Sequence, residues 1–244
     1  MADDLASPAF FGPPGRLRWA GGSDACSVGQ PRSVRLPPEL AAYADPHHPV
    51  LRRGRDPRRM RLRLGATAPP GDYHVDVAYA DGSTQRVAVS IEPRPRLRVL
   101  PGTLRLAGAP GDSVSARLLV ENRGNEVLEI GDSLVTGIFD DNGIEAALAA
   151  VYRLETDDLD TVVATGFARL REAHGGLLRL RVREGAGALA PGDSRQLLLQ
   201  TTLNSKLAPR HGYHGTLELG THRIAVRVAV RAASDPETPA GGPR

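Results

Sequence analysis

The strongest constraint on this chain is a pattern it carries twice: "PPGDYHVDVAYADGSTQRVAVSIE" over residues 69–92 and "PRHGYHGTLELGTHRIAVRVAV" over residues 209–230. Each copy opens on Pro and Gly, sets a tyrosine directly before a histidine (Tyr73-His74, Tyr213-His214), alternates apolar with polar residues, turns, and alternates again. A period of two puts Val75, Val77 and Tyr79 on one face of a strand, with "ADGS" as the turn and Val87, Val89 and Ile91 on one face of the return. In the second copy Leu217 and Leu219 lead into "LGTH", and Ile224, Val226, Val228 and Val230 follow. Both copies therefore read as half-buried β-hairpins. The 27 glycines and 20 prolines punctuate the rest at short intervals, as many short strands require, so the chain is expected to be all-β.

Aromatic residues make up only 4% of the chain, so its core must be mostly Leu, Val and Ala, and a tyrosine needs a positional reason. Tyr73 follows "APPGD" and Tyr213 follows "LAPRHG", the start of a penultimate strand after a Pro/Gly corner. That is where a tyrosine corner sits in immunoglobulin-like sandwiches, its hydroxyl bonding to the backbone upstream; the alternative is an ordinary half-buried strand tyrosine.

Upstream of the second hairpin, "RLRVLPGTLRL" reads as a strand with a Pro-Gly kink, "APGDSVSARLLVENRGN" as a turn and a second strand, and "EVLEIGDSL" as a third. "LAPGDSRQLLLQTTL" supplies the strand before Tyr213, and "APGDS" occurs at both 109–113 and 190–194. With its "PG" turns, "ENRGN" turn and closing "GYHGTLEL" strand, this order resembles bacterial immunoglobulin-like and fibronectin-like β-sandwich modules, including the type found beside carbohydrate-active catalytic domains. The resemblance covers residues 96–232 apart from one insert. It implies a sandwich and says little of function, since this fold hosts many unrelated roles.

The insert, residues 135–176, is too long for a sandwich loop and carries helix signals. "EAALAAVYRL" is rich in helix formers, and the stretch from Thr156 offers a cap, acidic residues in its first turn, and Leu159, Val162, Val163, Phe167 and Leu170 along one face before Gly-Gly. One or two short helices, or a strand and a helix, are expected to pack on the sandwich. The segment is the first candidate for a partner-specific surface, through Phe139, Asp140, Asp141, Asp157, Asp158, Arg169 and Arg171; a lid over the sheet edge is the competing reading.

These signals divide the chain into an irregular N-terminal segment (1–30), a reduced immunoglobulin-like β domain (31–95), a sandwich with its insert (96–232), and a disordered tail (233–244), with short strand candidates at "GRLRWAG" and "SVRLPPEL" in the first 50 residues. The reduced domain lacks a strand, which the second domain or another chain could supply by strand addition.

Catalytic and metal signatures are missing. Cys26 is the only cysteine, which rules out an internal disulfide and a thiolate cluster. Of the seven histidines, His47, His48, His74, His174, His211, His214 and His222, the last three are expected to approach one another near one sandwich end, yet no carboxylate or cysteine completes a recognisable ligand set. "DDNG" at Asp140 lacks the spacing of a calcium loop and reads as a turn. No Gly-x-Ser-x-Gly elbow, phosphate loop or dinucleotide fingerprint occurs. No catalytic residue, metal or cofactor is expected.

Net charge is a mild +3, and the positive charge is almost all arginine, with Lys206 the only lysine. Its densest cluster is Arg52, Arg53, Arg55, Arg58 and Arg59. Several guanidiniums on one loop can track an anionic partner, but no aromatic residues interleave to stack bases, which favours a solvated loop over a nucleic-acid site. The acidic N-terminus has no signal-peptide core and no apolar run reaches about 18 residues, so the expected location is cytoplasmic without membrane insertion. Together these features predict tandem immunoglobulin-like sandwiches acting as a non-enzymatic interaction or assembly module, part of a larger particle or complex, with another protein or a further copy as partner. The alternative is a binding module for carbohydrate or nucleic acid; for carbohydrate, the single tryptophan, Trp19, lies outside the better-formed sandwich.

Overall fold

Alternating side chains bury one face of a strand only if a second layer covers it, and both hairpins find that layer. The computed structural model describes residues 9–15, 17–19, 31–44, 51–53 and 60–232. Two compact units emerge: residues 1–97 with 121–128 and 189–193, and residues 98–120, 129–188 and 194–244.

The first unit contains β1 (Ala9–Gly12), β2 (Leu17–Trp19), β3 (Pro31–Arg35), the one-turn helix α1 (Pro38–Ala41), β4 (Leu51–Arg53), β5 (Met60–Leu62), β6 (Gly71–Tyr79) and β7 (Thr84–Ile91). They form a seven-stranded sheet in the order β3-β6-β7-β1-β2-β5-β4. The hairpin β6–β7 pairs Tyr73 with Val89, Val75 with Val87 and Val77 with Gln85, so the predicted apolar faces are in phase. Residues 1–30, read from sequence as irregular, include two strands. β1 runs parallel to β7, pairing Phe10 with Val89, and antiparallel to β2, pairing Phe10 with Trp19. Phe10 and Leu17 are fully buried among Val75, Val77, Val87 and Val89. β2 falls on the strand candidate "GRLRWAG", while the four residues of β1 leave no readable period; burial of Phe10 and Leu17 holds both in place. The chain's own β1 thus pairs with β7 and adds a strand from outside residues 31–95 to the first sheet.

The second unit contains β8 (Leu97–Leu100), β9 (Thr103–Gly108), β10 (Ser113–Asn122), β11 (Leu128–Ile130), β12 (Ser133–Asp140), α2 (Gly143–Tyr152), α3 (Leu159–Ala173), β13 (His174–Glu184), β14 (Gly187–Leu189), β15 (Ser194–Thr202), β16 (Gly212–Leu219) and β17 (His222–Val230). Its main sheet has the order β8-β10-β15-β13-β12-β16-β17-β9. β8 and β9 are consecutive in sequence yet sit at opposite ends of that order, so the sheet folds round on itself. The 11-residue β13 pairs with β12 from His174 to Arg181, then passes to β15 between Arg181 and Glu184. One strand therefore belongs to both layers. Leu104, Leu118, Val120, Ile138, Leu178, Leu180, Leu197, Leu199, Leu217, Ile224 and Val226 fill the space between them. The result is all-β: tandem immunoglobulin-like sandwiches, the second with a helical insert.

Continuous domains were expected, but the structure assigns two turns from the later sequence to the first unit. Asn125, 2% exposed, accepts the Arg94 N–H at 2.6 Å and donates to the carbonyls of Ala68 (3.1 Å) and Glu92 (3.0 Å). Asn122 is fully buried; it donates to the Glu126 and Leu189 carbonyls and accepts the Gly124 N–H. A side chain at Gly124 would collide with the Arg94 carbonyl and the Arg96 nitrogen, so the glycine of "ENRGN" is required by close approach.

Candidate functional site

The helical insert is shorter than the 135–176 expected. β12 continues to Asp140 and β13 resumes at His174, which leaves residues 141–173 between paired strands. Asp140 and Asp141 stand at the point where the chain leaves the sheet. Asp140 turns it by accepting the Asn142 N–H at 2.9 Å, and its other oxygen lies 2.5 Å from His211 Nδ1. Asp141 accepts from His214 Nδ1 at 2.9 Å, with Arg227 3.7 Å away. Carboxylates do, then, meet two of the histidines grouped from sequence, through the pairing of β12 with β16. His222 is not among them: it pairs with Leu219 at the far end of the β16–β17 hairpin. Among the described residues no group of three or more His, Cys, Asp or Glu side chains can hold a metal ion.

Burial by itself would raise the Asp140 carboxyl. Hydrogen bonds from His211 and the Asn142 N–H, with the charges of His211 and His214, outweigh it and hold Asp140 below the ordinary carboxylate value. At the other side of the insert's base, the His174 ring lies 4.9 Å from Phe139, which is 45% exposed. Gly175 leaves room for the Tyr213 ring, which a Cβ there would meet at 2.8 Å.

From this base rise α2 and α3. Asp158, rather than Thr156, caps α3: it accepts the N–H groups of Asp160 (3.3 Å) and Thr161 (3.2 Å), while Thr156 Oγ1 accepts the Asp158 N–H. The two helices meet on small residues, with Gly166 against Val151 and Gly143 against Ala173. Residues spaced i, i+4, i+8 then face outward on both: Ile144, Leu148 and Tyr152 on α2, and Leu159, Val163 and Phe167 on α3, from 45% to 85% exposed. The face expected to pack on the sandwich is uncovered. α3 buries no residue, and α2 buries only Gly143 and Ala147.

Asp157 is exposed in the link between the helices; Arg169 pairs with Glu172 at 2.8 Å, and Arg171 lies in the last turn of α3. Tyr73 donates to the Pro69 carbonyl at 3.2 Å, and Tyr213 accepts the Ala208 N–H at 3.1 Å. Of the arginine cluster, Arg52 and Arg53 fall on β4, opposite Arg61 and Met60, while Arg55, Arg58 and Arg59 lie outside the described residues, as do Cys26, His47, His48 and the tail 233–244. Trp19 packs edge-on against Phe10 at 5.0 Å, so it belongs to the first core.

Two grooves carry arginines that sequence reading passed over. In the second unit a groove of about 410 Å³ is lined by Ser113, Leu177, Arg179, Arg181, Arg183 and Gln200 among others. The signal was present in "LRLRVRE": Leu178, Leu180 and Val182 point inward, so Arg179, Arg181 and Arg183 must share the outer face. In the first unit, Phe11, Arg18, Arg94 and Arg96 line another groove.

No protein-family model matches the chain, and no curated protein matches it in sequence. Solved structures similar to it include Dpr11 IG1 bound to DIP-gamma IG+IG2, at 8% identity over 93% of this chain and 98% of that one, with a TM-score of 0.36. A titin A168169 structure is 12% identical over 95% and 100% of the two chains, TM-score 0.34. A protein of unknown function from Porphyromonas gingivalis W83 is 13% identical over 93% and 98%, TM-score 0.27. All three scores are below 0.5, so the fold assignment rests on strand order and register.

Proposed function

We propose that the protein is a non-catalytic interaction or assembly module and that its helical insert is the surface that engages a partner. The observation that carries this reading is the uncovered apolar stripe on both helices. A globular protein gains nothing in stability from holding Leu148, Tyr152, Leu159 and Phe167 in water, and contiguous apolar patches of this kind mark contact surfaces. Phe139, Asp140 and Asp141 form the base of that surface, and Asp157, Asp158, Arg169 and Arg171 supply its polar rim. Tyr73 and Tyr213 act as structural corner residues that hold the hairpins.

The test is recovery of the tagged full chain from its host, with the native mass of what co-purifies at fixed stoichiometry. Leu148→Ser with Phe167→Ser should abolish that stoichiometric complex and leave the melting temperature unchanged. A complex that survives both substitutions would overturn the reading.

A second reading, a binding module for nucleic acid or carbohydrate, is favoured by one feature: Phe11, 47% exposed, lies beside Arg18, Arg94 and Arg96 in the first unit's groove. An aromatic face next to guanidiniums can stack a base and contact its phosphate. Fluorescence anisotropy with single-stranded oligonucleotides, and a glycan array, decide it. Phe11→Ala should weaken binding if that groove is used.

A further inference from the structure

Along β13, Arg179, Arg181 and Arg183 repeat at the spacing of alternate strand residues, about 6.6 Å. All three are exposed on one face; Arg179 stands opposite Val135 of β12, and Arg181 is flanked by β12 on one side and by Gln200 of β15 on the other. Arg183 Nε donates to Gln200 at 2.6 Å, and Gln200 donates to Ser113 Oγ at 3.0 Å, which lines the groove with fixed hydrogen-bonding groups. Among the described residues none of the three arginines forms an ion pair with a carboxylate. Three adjacent guanidiniums concentrate positive potential in the groove, which an anionic occupant would complement.

The same chain carries the complementary charge. The link between α2 and α3 and the first turn of α3 hold Glu155, Asp157, Asp158 and Asp160, all exposed, with Arg153 the adjoining cation. Asp158 is engaged in capping α3, but Glu155 and Asp157 form no ion pair among the described residues. They are two residues apart, the same interval as Arg179 and Arg181. The groove cannot take this link from its own chain by local folding. α3, 15 residues and so about 22 Å long, separates the link from the start of β13 and buries no residue against the sheet.

We infer that the arginine groove on β13 receives the acidic α2–α3 link of a second copy of this chain, with Glu155 and Asp157 paired to Arg179 and Arg181. Docking the link would bring the neighbouring apolar stripe against Leu177, 72% exposed at the groove's end, and Val135, which pairs with Arg179 across β12. No aromatic ring lines the groove, which disfavours a nucleic acid as its occupant. The groove and the link are different patches, so one copy can give and receive at once, and self-association is heterologous. The inference rests on the insert being the partner-binding surface and names the partner.

Sedimentation velocity of the full chain over a concentration series tests it. Self-association is expected, roughly tenfold or more weaker when salt rises from about 0.05 to 0.5 M. R179E/R181E alone and E155R/D157R alone should each be monomeric with unchanged circular dichroism and melting. An equimolar mixture of the two should associate again, because the reversed charges are complementary between the variants. A wild-type chain that is monomeric throughout, or association untouched by both variants, overturns the inference. So does arginine-dependent binding of heparin or an oligonucleotide without self-association. If the chain is monomeric but an insert-dependent partner is still recovered from the host, the inference fails while the interaction reading stands.

Discussion

Single residues set how firmly this fold is held. Asn125 satisfies three backbone groups of residues 57, 33 and 31 positions away, so Asn125→Ala leaves buried donors and acceptors unpaired. The expected loss is about 2–4 kcal/mol, read by chemical denaturation or by amide exchange at Arg94. Tyr213→Phe removes a single hydrogen bond and should lose only about 1 kcal/mol. Acid should act through carboxyls held low in the folded state. Asp140 is depressed by His211 against its burial, and Asp158 by the Thr161 hydroxyl and the first N–H groups of α3. A depressed folded-state value means the unfolded chain binds protons first as pH falls. The stabilisation is therefore complete above the ordinary carboxylate value and is lost as pH drops through the lower folded values. Asp140→Asn should flatten the pH dependence of stability in that window, and a titration of melting temperature below pH 4 checks it. The motif "ENRGN" could be read from sequence as a turn because Asn and Gly are turn residues. That its asparagines reach Ala68 and Leu189 could not, because nothing local records which carbonyls a folded chain brings near.

At the level of elements, the hairpins were legible because a period of two is enforced by burial of one strand face. β1 was not, since four residues carry no period, whereas "GRLRWAG" was legible as a short strand and holds β2. The insert was legible as helix from its residue types, and its apolar face was read as sandwich-facing. Periodicity shows that a face is apolar, and only the fold shows what covers it. Because the insert buries almost nothing, replacing residues 143–173 with Asn-Gly should leave the melting temperature of the second unit unchanged. Phe139 and His174 already pair, so the shortened turn closes β12 onto β13 without moving either strand. The helical signal at 222 nm should disappear; a large fall in melting temperature would show that the helices brace the sheet.

The whole molecule is two compact units, each with its own apolar core. Deleting residues 1–35 removes β1, β2 and β3, and with them Phe10 and Leu17 from the first core. Hydrogen exchange across residues 71–91 should then lose its protection; retained protection would mean the hairpin is held without that layer. Among the described residues no helix is long and apolar enough to cross a membrane. The chain alone determined its all-β class, the phase of both hairpins and the presence of helices in the insert, since each follows from side-chain period and residue type over neighbouring positions. The tertiary structure decided the rest. It set Asp140 and Asp141 beside His211 and His214, gathered three arginines in one groove, attached the "ENRGN" turn to the first unit, and left the helical stripe uncovered. These depend on which distant segments pack together, and packing is fixed by the shape and burial of the whole core.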